Sequence, residues 1–537
     1  MQETKPAWTL RAAYLALVVL CACLFTCTAP ARITYPDDEI VFQTTQSLAE
    51  RGSFAIPGIA KRSGERRDRP KGTFGWAPGR DGRRYGFFGH GLSVAAVPLY
   101  ALADATASRV PETWRHVQRS NLPTWHTRGP EADWQRGLTS LTNCLLTPLA
   151  ALLLGLWLGE LGYRPRTAVL TALIYALGTT AWPYAGTFLS EPLSALMLLG
   201  AAWAVARWRS QGSAPHLWVA AALVGLTVHV HVLNLLATPA FLAYAAWPEG
   251  DAGTSWRARI LEQRRAWIVA ACLGACGLGL LGLSQALRYG SPFETGRFDH
   301  YAHWEWPLEH AFAMVVAPGR SLWIYSPPLI VALLAWPRVI RERRAVAVFV
   351  LVLFALRWLF VACRSDWFGG WAIGPRYLVP VVPFLLLPLA ELFERGPERP
   401  RPARVGLAAA MVLSVLFQAW LAVHSVVQVL FDINRRSEAP GSFRHGADWT
   451  LDGFLPLAYW RLEQPALEFW LDGKTQAAML SAQFEALAFG SWRLSSLGHA
   501  QGLWHAVIGL GLLSGVAGVG LTVAVRLLAK EEERHPQ

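Results

Sequence analysis

Long apolar runs separated by short basic connections dominate the chain. Stretches without Asp, Glu, Lys or Arg cover Ala12–Ala31, Gly137–Gly159, Thr167–Ser190, Pro215–Pro248, Ala266–Leu287, Val405–Phe431 and Gly502–Val525. Each is near or above the roughly 20 residues that an α-helix needs to cross hydrocarbon. Shorter runs fill in at Pro192–Ala206, Ser321–Pro337, Ala345–Leu356 and Tyr377–Ala390. The pattern predicts an all-α polytopic membrane protein. A composition of 53% hydrophobic and 16% charged residues excludes a water-soluble globule.

Arginine marks the connections between these runs: Arg164 and Arg166, Arg207 and Arg209, Arg257 to Arg265, Arg338 to Arg344, Arg395 to Arg404, and Arg526 with Lys530 and Arg534. The positive-inside rule places them in the cytoplasm, and the net charge of +12 is a topology signal rather than a nucleic-acid footprint. Two basic connections bracket Pro215–Pro248, so that segment crosses an even number of times. Its roughly 34 residues fit two short helices, with His229, His231 and Asn234 in the turn between them. Phe88–Ala105 is apolar enough to be a span, but counting it would move every later arginine cluster outside. It therefore reads as a juxtamembrane or re-entrant element.

These constraints predict a bundle of about 12 transmembrane helices with both termini inside. Residues 1–430 form the transmembrane module, whose long first extracytoplasmic loop (32–136) contains juxtamembrane helices. Residues 431–500 form a small extracytoplasmic segment, and 501–537 the last helix and tail. Trp449, Trp460, Trp470 and Trp492 of the outer segment suit anchoring at the membrane interface. Six of the seven cysteines, Cys21, Cys23, Cys27, Cys144, Cys272 and Cys276, lie in apolar spans as small hydrophobes, which gives no disulfide or zinc framework.

With this topology, the polar residues hardest to explain as packing face the outer compartment. Tyr35-Pro36-Asp37-Asp38-Glu39 follows the first span. Three carboxylates beside low dielectric suit proton abstraction or metal binding; they equally suit a helix cap and first turn that complement the helix dipole. Glu191, in Ser190-Glu191-Pro192, stands between two apolar stretches, where an ionised carboxylate needs a partner or a water-filled cavity; the alternative is a helix start with Pro in the first turn. Further candidates are His90, Arg297, Tyr325, and Arg376 with Tyr377 in Gly374-Pro375-Arg376-Tyr377. Arg376 offers planar bidentate contacts to phosphate. Arg357 lies inside a span near its outer end, where snorkelling is the simplest account. His229 and His231 are two apart and would diverge on a regular helix, so they read as core or interfacial residues rather than a metal pair.

In order and sidedness these motifs resemble the GT-C glycosyltransferases, polytopic enzymes that use polyprenyl-phosphate sugars, in the branch of the protein O-mannosyltransferases (glycosyltransferase family 39) and the lipid A aminoarabinose transferases. The resemblance covers about the first 400 residues. It rests on Asp38-Glu39 with Gln46 to Gly52, Gly89-His90-Gly91-Leu92, Ser190-Glu191-Pro192, Tyr289-Gly290-Ser291-Pro292-Phe293, Tyr325-Ser326-Pro327 and Gly374-Pro375-Arg376-Tyr377-Leu378. It implies Asp38 as general base or acceptor-positioning group, with Asp37 and Glu39 beside it. Glu191 would help bind the acceptor or a divalent cation, for which Asp38 and Glu191 are the candidate ligands. Arg376 would hold the lipid-linked phosphate, with His90, Tyr377, Arg297, Tyr325 and His231 as further substrate contacts. The chain departs from the pattern where many relatives end Gly-Leu-x-x-x-x-Arg and this one runs from Gly225-Leu226 to His231.

The implied function is inverting transfer of a sugar from a polyprenyl-phosphate donor to a glycan, lipid or protein acceptor on the outer face of a bacterial cytoplasmic membrane, without nucleic acid. The alternative is a polytopic transporter or flippase of lipid-linked glycans. That alternative would favour internal repeats and midplane ionisable residues at matching depths, which the sequence lacks.

Overall fold

The computed structural model describes residues 5–56, 75–109, 130–248, 256–296, 303–370, 372–396, 398–427, 429, 448–461, 488 and 501–534. Arg297, Trp470, Trp492 and most of the segment 431–500 lie outside the described residues. The apolar runs form helices, as their length and composition dictate. Among the described residues, seven helices are long and apolar enough to cross a membrane: Trp8–Thr28, Asp133–Glu160, Arg264–Tyr289, Arg344–Ala362, Arg376–Glu394, Arg401–Val423 and Leu503–Glu533. Shorter apolar helices, among them Gly91–Ala107, Ala214–Thr227 and Pro307–Val316, pack among them, as do Pro165–Gly178 and the 21-residue Glu191–Gln211. The protein is thus a polytopic helical membrane protein, in which some expected crossings are long spans and others are broken.

Pro215–Pro248 is one of the broken ones. Helix Ala214–Thr227 ends before His229, a 3-10 turn follows over Val232–Ala237, and helix Thr238–Ala246 completes the segment. The Asn234 amide closes the break by donating to the Thr227 carbonyl and hydroxyl, each at 3.0 Å. Such pairing is what allows an interrupted helix at membrane depth. The same helix crosses Arg264–Tyr289 with backbones in contact: a Cβ added at Gly277 would lie 2.3 Å from the Gly225 carbonyl carbon. Only small residues permit that approach.

Phe88–Ala105 folds as the 17-residue helix Gly91–Ala107 and packs against helix Pro36–Arg51, both lying between the first two long spans. A three-stranded antiparallel sheet completes this layer, with Arg84–Gly86 between Ala55–Ile56 and Trp76–Pro78; Tyr85 stands opposite both Ala55 and Ala77.

The first and last helices lie side by side and antiparallel. Thr9 donates to Glu531 at 3.3 Å at one end, and Ala31 packs with Leu503 and Val507 at the other.

The arginine connections converge at one end of the bundle. Arg343 pairs with Glu391 at 2.9 Å, Arg164 with Glu394 at 3.2 Å, Arg207 with Glu160 at 3.3 Å, and Arg395 with Glu342 at 3.6 Å. Helix Glu191–Gln211 ends there with Arg207 and Arg209, and the run that begins at Arg376 ends there at Glu394. Glu191 and Arg376 therefore mark the opposite end, about 30 Å away at 1.5 Å rise per residue.

Candidate active site

Helix Pro36–Arg51 starts with Pro in its first turn and all three acids inside it, where the dipole favours negative charge. Successive helical side chains point about 100° apart, so the three carboxylates meet different partners. Glu39, fully buried, receives both Nε and Nη2 of Arg136, at 2.9 and 2.8 Å, and the Gln43 amide at 2.8 Å. Arg136 also lies over the Phe42 ring, 4.6 Å from its centroid. Both Glu39 oxygens are thus engaged in an ion pair with Arg136, unlike those of Asp38.

Asp38 turns into the interior at 1% exposure. Its Oδ2 accepts from the Phe188 backbone N–H at 3.4 Å, and its Oδ1 has no hydrogen-bond partner among the described residues. Burial, with Asp37 alongside, holds its carboxyl well above the usual carboxylate range, against the pull of Arg376 and the Phe188 N–H. The segment carrying Phe188 is fixed by Asn143, whose amide donates to the Thr187 and Leu189 carbonyls at 2.7 and 2.8 Å.

Asp37 points a third way, to Arg376, whose Nη1 donates to its Oδ2 at 3.0 Å. Nε of the same guanidinium donates to Glu191 Oε1 at 2.7 Å. Glu191 is the first residue of its helix, followed by Pro192; its position matches the helix-start reading, yet it also pairs with Arg376. Its Oε2 is buried without a partner among the described residues. Asp37, Asp38, Glu191 and Arg376, from three distant parts of the chain, thus form one cluster.

The loop that delivers Arg376 contains three glycines at positive φ: Gly369 (71°), Gly370 (74°) and Gly374 (60°). Arg320, 2% exposed, ties this loop down. It donates to the carbonyls of Gly370, Ala372 and Gly374 at 3.2, 2.8 and 3.4 Å and pairs with Asp448 at 3.0 Å. The sequence reading missed Arg320; the short Gly319-Arg320-Ser321 turn at the mouth of an apolar run was its only signal. Arg357 does not snorkel, because its side chain is 3% exposed and bonded inward, to the Tyr377 carbonyl and to Asn234 Oδ1.

Tyr377 adjoins Arg376, and its ring meets the His231 ring edge-on at 5.8 Å between centroids. The Nδ1 of His231 accepts from Leu233 N–H at 3.2 Å, capping the 3-10 turn. Tyr325 is fully enclosed; its hydroxyl accepts from Leu455 N–H at 3.2 Å and its carbonyl from Gln418 at 2.9 Å. Its side chain packs against Gly374, where an added Cβ would lie 3.0 Å from the Tyr325 Cβ. His90 stacks on Phe54 at 4.3 Å, and burial, with Arg288 and His229 nearby, lowers its pKa to about 3. It is a neutral imidazole in a separate part of the outer layer. His229 turns away from His231 to the Gly277 carbonyl at 2.9 Å. Arg297 lies outside the described residues.

For a divalent cation the fit is poor in this arrangement. Asp38 and Glu191 each offer one unpartnered oxygen. Arg376 already supplies the positive charge between Asp37 and Glu191, and among the described residues no group of three or more His, Cys, Asp or Glu is placed to hold a metal ion.

No protein-family model matches the chain, and no curated protein does. Among solved structures it is similar to ArnT from Cupriavidus metallidurans in the apo state, at 14% identity and a TM-score of 0.46 over 97% of this chain and 76% of that one. It is also similar to ArnT from the same organism bound to undecaprenyl phosphate, at 13% identity and a TM-score of 0.41 over 97% of this chain and 77% of that one.

Proposed function

We propose that this protein is a membrane glycosyltransferase that moves a sugar from a polyprenyl-phosphate donor to a hydroxyl of an extracytoplasmic glycan, lipid or protein, with inversion at the anomeric carbon. The observation that carries the reading is a largely enclosed guanidinium, Arg376, between Asp37 and Glu191, with an Asp38 oxygen near it that has no partner among the described residues, at the end of the bundle opposite the basic connections. Those connections lie in the cytoplasm by the positive-inside rule, so the cluster faces the exterior of a bacterial cytoplasmic membrane. The order of the sequence motifs supports the same family of reactions.

The chemistry follows from the groups present. The acceptor oxygen forms its bond to the anomeric carbon from the face opposite the phosphate. The bond from that carbon to the phosphate oxygen breaks, and its electron pair leaves on the phosphate. Asp38, whose environment strengthens its hold on a proton, takes the hydroxyl proton through Oδ1. Arg376 balances the charge on the departing phosphate. Glu191, through Nε, sets the orientation of that guanidinium and borders the acceptor side.

The test is thermal unfolding of the purified protein as polyprenyl phosphate, the product common to every donor of this class, is added. At 100 times its dissociation constant it should stabilise the wild type by about 2.7 kcal/mol, and Arg376→Ala should lose the effect. No shift beyond that of an ordinary anionic lipid removes the reading. Saturable binding without release of polyprenyl phosphate from a sugar-charged donor replaces it with a carrier of lipid-linked glycans.

A further inference from the structure

Arg357 is buried within the Arg344–Ala362 span, about 8 Å from its outer end by helical rise. Nε donates to the Tyr377 carbonyl and Nη1 to Asn234 Oδ1 at 2.8 Å, both neutral acceptors. Asn234 is itself held by Ser194 Oγ at 2.9 Å and by Thr227, so its oxygen is aimed at the arginine rather than swinging freely. Among the described residues, no carboxylate pairs with Arg357 and nothing accepts from its Nη2. Of the other buried arginines, Arg136 and Arg320 are each paired with an acid, as is the slightly more exposed Arg376, while Arg288 donates to the Ser284 and Gly86 carbonyls. A guanidinium kept in a membrane span without a paired anion is costly unless an anion arrives to complete it.

The direction from which an anion would arrive is set by the neighbours. Arg357 binds the carbonyl of Tyr377, the residue next to Arg376, and Glu191 acts electrostatically on both arginines. The bonds of Arg376 run through Nε to Glu191 and through Nη1 to Asp37 and the Gly369 carbonyl, so its Nη2 also lacks an acceptor among the described residues. Two cations, one of them bonded to the carbonyl of the residue next to the other, thus each keep one terminal amino group without an acceptor among the described residues.

We infer that Arg357 and Arg376 are the two arms of a single phosphate-binding site, with Arg357 gripping the anion from within the membrane span. This rests on the donor reading above and deepens it. The phosphate is drawn below the outer ends of the helices, where a lipid tail attached to it passes sideways into the hydrocarbon.

The experiment uses the full-length protein in detergent. Polyprenyl monophosphate, polyprenol and inorganic phosphate are titrated separately against the unfolding midpoint of wild type, Arg357→Gln, Arg357→Lys and Arg376→Lys. Loss of one charged contact should weaken polyprenyl monophosphate about tenfold or more in Arg357→Gln. Arg357→Lys should fall between, and polyprenol should not distinguish any of them. The ligand-free midpoint of Arg357→Gln should equal or exceed that of wild type, since an unpaired buried charge has been removed; a purely structural arginine would lower it. Wild-type affinity in Arg357→Gln, with binding lost in Arg376→Lys, overturns the two-armed site and leaves the donor reading standing. A wild type that does not prefer polyprenyl monophosphate to polyprenol brings down the donor reading and this inference together. If inorganic phosphate binds as tightly and with the same dependence on Arg357, the two-armed site is upheld and its ligand is free phosphate. Should Arg357→Gln fail to fold, affinity in Arg357→Lys decides: unchanged binding overturns the inference and a several-fold loss upholds it.

Discussion

Arg376 donates through Nε to Glu191 at 2.7 Å across 185 residues of sequence, and this bond joins the start of one membrane helix to the start of another. A planar guanidinium holds Glu191 and Asp37 through two different nitrogens and still presents a third; an ammonium must make every contact from one nitrogen. Arg376→Lys should therefore lower sugar transfer by about 10²–10³-fold, the scale of losing one positioned charge-stabilising donor. Glu191→Gln should show a similar direction of loss. Release of polyprenyl phosphate from charged donor is the readout, and near wild-type turnover in both variants would separate the cluster from the chemistry.

Asp38 should impose an acidic limb on activity at a pH above the ordinary carboxylate range, because it takes a proton only when ionised and its carboxyl titrates high. The sign for stability is opposite. A carboxyl whose pKa rises on folding contributes stability that is full below its unfolded pKa and lost as pH rises through the native one. Asp38→Asn should therefore abolish transfer yet unfold at a higher temperature than wild type at alkaline pH, with the two converging as pH falls. A midpoint gap that widens on acidification contradicts the assignment. His90, neutral above about 3, should add no limb of its own.

Glu39 makes the contrasting case. Glu39→Gln leaves the Arg136 charge buried without its counterion, and breaking one side of such a pair costs about 3–5 kcal/mol. The expected result is a lowered unfolding midpoint, with turnover per folded molecule close to wild type. A stable variant with no turnover would return Glu39 to the reacting groups.

Gly369→Ala tests the loop that delivers Arg376. At φ 71° an added Cβ costs about 1–2 kcal/mol. It would also stand 2.7 Å from the Arg376 Cβ, so the guanidinium must shift. Gly52→Ala, at φ 60° with nothing within 4 Å of the added Cβ, carries the backbone strain alone. Gly369→Ala should lose transfer and phosphate affinity where Gly52→Ala loses only stability. Equal behaviour of the two would show that the loop does not set the arginine.

The sequence alone determined the helical, membrane-spanning body, because an apolar run of sufficient length must satisfy its backbone internally in lipid and does so as a helix whatever its neighbours are. It also placed the break near His229, gathered the arginine connections at one end, and set Asp38, Glu191 and Arg376 as candidates through the order of their motifs. Only the tertiary structure decided which of Asp37, Asp38 and Glu39 meets Arg376, since three adjacent helical residues point in three directions and the helices opposite them are far away in sequence. It alone separated Tyr325 and His90 from the cluster, gave Arg320 its hold on the glycine loop, and turned Arg357 inward from the lipid. The physical reason is the same in each case. Apolar length is a local property, but the partner of a buried charge is fixed by which helices face one another.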